Sequence, residues 1–136
     1  MTTTTADSAP VTYLDTSAAV KLISDERESD ALRSFLDEQT AVIVSSDLLE
    51  TELRRIGIRH HLDQVLLTAV LDGVALTPLT RDRFREAGLY PQADLRSLDA
   101  LHLAGALSVD AVAILTYDSR LAAAAREHGL TVIAPQ

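Results

Sequence analysis

Short apolar runs alternate with segments of helical periodicity along almost the whole chain. The runs are rich in Val, Ile, Leu and Ala, which is typical of strands that are buried on both faces of a parallel sheet. Between them, apolar residues recur every three or four positions, which predicts amphipathic helices. Strands are predicted at Val11–Asp15, Ala41–Ser45, Val74–Leu76, Ala111–Leu115 and Thr131–Ala134.

The helices predicted between these strands begin and end at recognisable residues. Ser17 is expected to cap the helix after the first strand, and Ser46 to cap a long helix that is bent or broken near Gly57. Gly73 and Gly129 follow two helices as stop signals. Helices are predicted at Ser17–Ile23, Glu28–Glu38, Ser46–His61, Leu62–Leu71, Thr80–Gly88, Ser97–Leu107 and Asp118–His128.

This order of elements predicts an α/β fold. Strand–helix–strand units with right-handed crossovers give a three-layer α/β/α sandwich around a parallel sheet of four or five strands. The 136 residues fit one domain, which we place at residues 11–136, after a Thr-rich disordered tail at residues 1–10. Because the sequence shows neither a secretory signal nor an apolar stretch of membrane-spanning length, we expect a soluble, cytoplasmic protein.

Composition removes several kinds of chemistry. The chain has no Cys, so disulfides, zinc–thiolate sites and thiol nucleophiles are excluded. Twelve basic residues against twenty acidic ones give a formal net charge of −8, which argues against a protein that coats nucleic acid through counterion release. A nuclease is compatible with this charge, because bound metal ions locally reverse the sign of an acidic site.

Four acidic residues occupy positions where an acid is hard to explain as surface decoration. Asp15 and Asp118 follow apolar runs, Glu52 lies on the apolar face of a predicted helix, and Asp99 opens a helix that is apolar on nearly every side. Ligand sites in parallel α/β sheets form beyond the carboxyl ends of the strands. Two of the acids are therefore at that mouth, and the other two are on helices that can reach it. Clustered carboxylates commonly hold divalent metal ions.

Each acid also has an ordinary explanation. Asp15 and Asp118 suit turns and helix N-caps, although Ser17 would free Asp15 from that role. Asp99 would stabilise a helix N-terminus. Glu52 would need an ion pair with an Arg or Lys, since a buried unpaired carboxylate is costly. The conjunction of four such acids at the same edge of the fold favours a common site.

Other polar residues are open to two interpretations. His102 lies on the buried helix that begins at Ser97, and we interpret it as a hydrogen-bonded core histidine rather than a ligand. Asp94 is a further acid that we interpret as a loop residue. The basic residues Arg54, Arg55 and Arg59 follow the Glu52 position and would hold phosphates beside the metals, but a solvated helix face explains them equally well.

With these residues identified, the chain resembles PIN domains, and in particular VapC-type toxin ribonucleases. The resemblance rests on four ordered segments that span the chain from Val11 almost to its end: Tyr13–Ala18, Ser45–Arg55, Arg96–Ala104 and Leu115–Leu121. It implies cleavage of RNA that depends on Mg²⁺ or Mn²⁺. Its acidic site would consist of Asp15, Glu52, Asp99 and Asp118, with Ser17 and Thr116 as hydroxyl neighbours.

The resemblance also implies partners, namely a second copy of the chain in a homodimer and a cognate VapB-type antitoxin that occludes the site. The predicted helices between Ser17 and Glu38 carry apolar residues that either pack on the sheet or form a groove for a partner helix. These residues are Val20, Leu22, Ile23, Leu32, Phe35 and Leu36.

Three other functions compete with the nuclease. A haloacid-dehalogenase pattern needs a second Asp two residues after the first, where this chain has Ser17. A receiver domain needs a Lys after a late strand, but the only Lys is Lys21. A non-catalytic PIN-like module that binds other proteins is the alternative that the sequence leaves open.

Overall fold

The computed structural model describes residues 9–136, and its centre is a single sheet of five parallel strands. The order across the sheet is β3-β2-β1-β4-β5, and every neighbouring pair is parallel. The predicted parallel sheet is thus confirmed. The strands are β1 (Val11–Leu14), β2 (Val42–Ser46), β3 (Ala75–Thr77), β4 (Ala113–Leu115) and β5 (Thr131–Ile133).

Helices connect the strands in the predicted order. The short first helix continues as a 3₁₀ turn at Val20–Leu22. Among residues 9–136, no helix combines the length and the apolar character that a membrane span needs. The helices are α1 (Thr16–Ala19), α2 (Ser29–Glu38), α3 (Leu48–His60), α4 (Gln64–Asp72), α5 (Arg81–Gly88), α6 (Ser97–Ser108) and α7 (Ser119–Glu127).

Two aliphatic cores lie on opposite faces of the sheet and make the fold a three-layer α/β/α sandwich. Because successive strand residues point to opposite faces, Tyr13 and Ile114 pack with α6 and α7, whereas Leu14 and Leu115 pack with the helices from α1 to α4. Both cores contain fully buried Leu and Ala side chains. The predicted sandwich is confirmed.

The predicted tail at residues 1–10 lies almost entirely outside the described residues. Ala9 and Pro10 are described and exposed. The Pro10 carbonyl accepts a hydrogen bond from the backbone of Val42 at 2.8 Å, so the last residue of this segment is held beside β2.

Both serine caps were predicted wrongly. Ser46 is the buried last residue of β2, and α3 is preceded by Asp47, whose side chain makes no capping bond. The cap of α1 is Asp15, which accepts a hydrogen bond from the backbone of Ser17. In both places the strand-to-helix turn is displaced by one or two residues from the predicted position. A cap depends on local backbone angles that the apolar pattern does not specify.

Helix α3 runs without interruption through Gly57, so the predicted break is not present. Gly57 is buried where α3 meets α4. A β-carbon at this position would overlap the side chain of Leu67 and lie 2.7 Å from Nε2 of Gln64. The glycine therefore permits close packing of two helices rather than ending one.

The strand order brings the functional residues together. The chain leaves β1 towards β2 and β3 on one side and reaches β4 and β5 on the other, so the order reverses at β1. Ligands bind at such a reversal, beyond the carboxyl ends of the strands. The pairing of Leu14 with Leu115 places Asp15 next to Thr116, and the Asp15 amide donates to the Leu115 carbonyl at 3.0 Å.

Candidate active site

Asp15 lies at the centre of this edge and is only 2% exposed. Its Oδ2 accepts hydrogen bonds from Ser17 Oγ at 2.6 Å and Thr116 Oγ1 at 2.9 Å, and from the Ser17 amide at 3.3 Å. The sequence posed helix capping and membership of an acidic site as alternatives for Asp15. Oδ2 caps the helix, which leaves Oδ1 available to bind a cation.

Glu52 on α3 is fixed in the same way, through one oxygen. Its Oε1 accepts from Thr16 Oγ1 at 2.8 Å and lies 2.5 Å from Nε2 of His102. Burial alone would raise the pKa of Glu52, but the hydrogen bond and charge of His102 and the Thr16 hydroxyl together lower it. The expected counter-charge is present, although it is a histidine rather than an Arg or Lys.

His102 is a hydrogen-bonded core histidine, as predicted, but it also belongs to the site. It is 1% exposed, with Nδ1 2.7 Å from the Tyr13 hydroxyl and Nε2 3.7 Å from Oδ1 of Asp15. Burial lowers its pKa, but the hydrogen bond to Glu52 and the charges of Tyr13, Asp15 and Glu52 raise the pKa to about 10. The raised pKa favours the protonated imidazolium of His102, which faces two of the four acids. The sequence singled out His102 but did not predict its contacts with Glu52 and Asp15, which lie far from it along the chain.

Asp99 in the first turn of α6 is held differently. Within the described part of the chain, no hydrogen-bond donor reaches its carboxylate. Burial, and then the charges of Asp118, Asp15 and Glu52, raise the pKa of Asp99 to about 6 against the opposing charge of His102. All four predicted acids are thus close enough to act on one another electrostatically.

Asp118 precedes α7 and caps it, as one of its two interpretations predicted. Its Oδ1 accepts from the Leu121 amide at 2.9 Å, and its own amide donates to Thr116 Oγ1 at 3.1 Å. Thr116 therefore links Asp15 and Asp118 through one hydroxyl. The fallback acid Asp94 is an exposed residue of the α5–α6 connection.

The carboxylate oxygens that accept no hydrogen bond within the described residues suit a hard divalent cation. Asp15 Oδ1, Glu52 Oε2 and the Asp99 carboxylate accept no hydrogen bond from any described residue within 3.5 Å. Across residues 9–136, no three acidic or histidine side chains lie close enough to share one ion. Mg²⁺ keeps most of its water and needs only one or two carboxylates. The donor set therefore fits Mg²⁺ or Mn²⁺ held by one or two acids and water.

The three arginines after Glu52 have different environments. Arg54 donates hydrogen bonds within the protein, from Nε to Glu50 Oε2 at 2.8 Å and from Nη1 to Thr68 Oγ1 at 2.9 Å. Arg55 and Arg59 instead line a cavity of about 280 Å³ together with Glu52. A larger cavity of about 400 Å³ lies between α5 and α6 and contains none of the four acids.

Comparison with known proteins agrees with this geometry. A family model described as PIN domain matches residues 12–133, which is most of the chain. The chain belongs to the PIN-domain family. The resemblance inferred from four short segments is therefore confirmed.

Relatives within the PIN family are VapC proteins. Ribonuclease VapC35 of Mycobacterium tuberculosis is 43% identical over 90% of this chain and 96% of its own. The crystal structure of Mycobacterium tuberculosis VapC20, described as a sarcin–ricin-loop-cleaving toxin, has a TM-score of 0.75 at 15% identity and covers 91% of this chain and 99% of that chain. A toxin–antitoxin complex from Klebsiella pneumoniae has a TM-score of 0.70 at 19% identity, with 92% and 98% covered.

Proposed function

We propose that this protein is a divalent-metal-dependent endoribonuclease, the toxin of a toxin–antitoxin pair acting in the cytoplasm. Its site consists of Asp15, Glu52, Asp99 and Asp118. The observation that carries the metal dependence is Asp99, a half-buried carboxylate without a described donor and repelled by three other acids. Such a group is costly unless a cation joins it. The ribonuclease name of a 43% identical relative supports the substrate class.

Some residues of the proposed site would position the acids, and the acids themselves would bind the metal. Ser17 and Thr116 fix Asp15 through Oδ2, and Thr16 and His102 fix Glu52 through Oε1. A bound Mg²⁺ or Mn²⁺ supplies acidification of the attacking water and neutralisation of charge on the phosphodiester. One or two of the four acids would bind it directly and the others through its water, with Asp118 the ligand that water replaces most easily.

No described side chain takes the part of a general base in this proposal. His102 is buried, and both of its ring nitrogens face protein groups, so it cannot reach a substrate. The only Lys, Lys21, is paired with Glu26 and Glu28 at 3.0 Å each. An acids-only site agrees with hydrolysis that leaves a 5′-phosphate and a 3′-hydroxyl.

The RNA would approach across α3. Arg55 and Arg59 are one helical turn apart on the cavity that contains Glu52, and neither forms an ion pair within the described range. Guanidinium groups at that spacing suit consecutive phosphates, which position a strand without reading its sequence. We do not assign Arg54 this role, because its Nε and Nη1 donate to Glu50, Gln64 and Thr68.

The partner would be an antitoxin segment beside α2 and α4. Leu22 and Leu36 line an apolar cavity of about 310 Å³ with Val70 and Val74. Of the six apolar residues predicted to form a groove or pack on the sheet, Leu32 is in the core and the others are partly buried against it. A helix in this cavity that extends an Arg to the acids would block the site. We also propose a homodimer as the assembled form.

Cleavage of RNA by the purified protein tests the proposed function. We expect cleavage in Mg²⁺, none in excess chelator, and at least a hundredfold loss in Asp99→Asn. Asp94→Asn is the matched control, because it removes an exposed acid from the neighbouring loop and should keep full activity. Equal activity of the two variants, or activity in chelator, would contradict the proposal. A non-catalytic module would bind its partner and cleave in neither condition.

A further inference from the structure

A chain of buried hydrogen bonds reaches Glu52 from the far side of the core. The Tyr13 hydroxyl donates to Ser46 Oγ at 2.9 Å and lies 2.7 Å from Nδ1 of His102. His102 Nε2 lies 2.5 Å from Oε1 of Glu52. These four residues, here named the polar chain, come from β1, β2, α3 and α6. The function proposed above uses neither Tyr13 nor Ser46.

The hydrogen-bond donors of the polar chain run in one direction. A carboxylate only accepts, so Nε2 of His102 carries the proton that faces Glu52. With Tyr13 donating to Ser46, the tyrosine oxygen accepts from Nδ1. Tyr13, Ser46 and His102 are each at most 1% exposed, so no water competes for these bonds. Each of these side chains is therefore fixed by its neighbour.

The packing around Tyr13 is specific to this arrangement. Its ring meets the His102 ring edge-on, with centroids 5.6 Å apart and an interplanar angle of 69°. Gly105 lies one turn further along α6, and a β-carbon there would be 3.0 Å from the tyrosine oxygen. The absence of a side chain at Gly105 lets the hydroxyl reach His102, which explains a glycine in the middle of a buried helix.

We propose that Tyr13 and His102 are positioning residues, which fix Oε1 of Glu52 so that Oε2 stays at the acidic site. This inference rests on the proposed function, in which Glu52 is a metal ligand. Residues that orient a ligand through its second atom typically change metal affinity or activity by about ten- to a hundredfold when mutated. A polar chain that only stabilised the core would change stability and leave metal affinity unaltered.

Tyr13→Phe tests the proposal with the loss of one oxygen atom. We expect Mg²⁺ binding, measured by calorimetry, to weaken about tenfold, and kcat for RNA cleavage to fall by a similar factor with little change in KM. Tyr90→Phe is the matched control. Tyr90 also donates its hydroxyl to a glutamate, Glu86 at 2.6 Å, which is not one of the four acids. Its loss should leave Mg²⁺ affinity unchanged.

Substitution of His102 separates its two nitrogens. The amide nitrogen of a glutamine occupies roughly the place of Nε2, and that of an asparagine the place of Nδ1. We therefore expect His102→Gln to retain several-fold more Mg²⁺ affinity and kcat than His102→Asn. Equal losses in the two variants would show that the donor to Glu52 is not what matters.

A cycle of variants in chelator makes the proposal independent of metal and activity. Tyr13 and Glu52 do not touch, so their coupling passes through His102. We expect the changes in urea midpoint caused by Tyr13→Phe and Glu52→Gln to be non-additive in the double variant. The changes caused by Tyr90→Phe and Glu52→Gln should be additive. Additive Tyr13 effects overturn the positioning role, as does wild-type Mg²⁺ affinity in Tyr13→Phe. If the two substitutions are coupled but the wild-type protein binds no Mg²⁺, the proposed function is refuted and the hydrogen-bonded link between Tyr13 and Glu52 is not.

Discussion

The two halves of the acidic site differ in how their carboxylates are held. Asp15 Oδ2 accepts three hydrogen bonds from Ser17 and Thr116, and Glu52 Oε1 accepts two, from Thr16 and His102. Asp99 has no such donor among residues 9–136, and the other acids repel it. Asp15 and Glu52, the organised half, are thus fixed by the protein itself, whereas we propose that Asp99, the half without partners, depends on a bound cation.

The same contrast appears in the pKa values. His102 and the Thr16 hydroxyl hold the pKa of Glu52 below its usual value despite burial. Burial and three negative neighbours raise the pKa of Asp99 to about 6. Environment therefore separates two carboxylates at one mouth, as in sites that assign them different roles. A divalent cation would therefore gain most from Asp99, the half without partners.

The largest effect is expected on the organised half, from loss of Asp15. Asp15→Asn and Asp15→Ala should both reduce RNA cleavage by about a thousandfold, because both remove the charge at Oδ1. Only Asp15→Ala should also lose about 1 kcal/mol of stability, since Asn still caps α1 whereas Ala cannot. Cleavage rates and urea unfolding of both variants measure this. Near-normal cleavage by Asp15→Asn would remove Asp15 from the site.

The Glu52 side should also be the side on which RNA binds. Replacing Arg55 and Arg59 together by Gln should weaken RNA binding in chelator by about tenfold and lower the salt dependence by about two charges. Fluorescence anisotropy at several salt concentrations measures both. Arg54→Gln should instead reduce stability and leave RNA affinity nearly unchanged. If Arg54→Gln weakens binding as much as the double variant, the strand does not follow this cavity.

The cationic His102 predicts a fall in stability at high pH. Its pKa is raised from about 6.5 to about 10, so the stabilisation is fully present below about pH 6.5 and is lost as the pH rises through about 10. The unfolding midpoint in chelator should therefore decrease between pH 8 and pH 10. His102→Gln should show a flatter profile over that window. Parallel profiles would mean that His102 is not charged in the folded protein.

The smallest expected effect is on stability, from substitution of Asp99, the half without partners. The raised pKa of Asp99 means that its ionisation costs nothing below about pH 4 and destabilises the metal-free protein as pH rises through about 6. After allowance for solvent screening the cost is about 1 kcal/mol, so Asp99→Asn in chelator at pH 7 should raise the Tm by about 4 °C. Mg²⁺ should stabilise the wild type but not this variant. A lower Tm for Asp99→Asn would contradict the repulsion.

The strands, the fold and the location of the four acids were predictable because they depend on local patterns. Apolar runs mark the strands, and the ends of parallel strands meet at one edge. The pairings at the site were not predictable, because they join residues remote in sequence. Glu52 is 50 positions from His102, and Asp15 is 101 positions from Thr116.

Local patterns also misled where one residue serves two purposes. Asp15 caps α1 and is also one of the four acids proposed for the site, so the expectation that Ser17 caps this helix was wrong. Ser46 has the chemistry of a cap but is drawn into the sheet, where it accepts the Tyr13 hydroxyl. Each serine instead accepts a tertiary hydrogen bond, Ser17 from the Tyr117 amide and Ser46 from the Tyr13 hydroxyl, and these bonds compete with the local capping preference.

Anomalous scattering from crystals of the protein grown with Mn²⁺ tests the central claim most directly. If a cation completes the half of the site that lacks partners, a Mn²⁺ peak will lie within bonding distance of an Asp99 oxygen and of at least one other of the four acids. The peak should vanish in Asp99→Asn crystals grown under the same conditions. Mn²⁺ bound only elsewhere, or an Asp99 carboxylate without any cation at saturating Mn²⁺, would contradict the account.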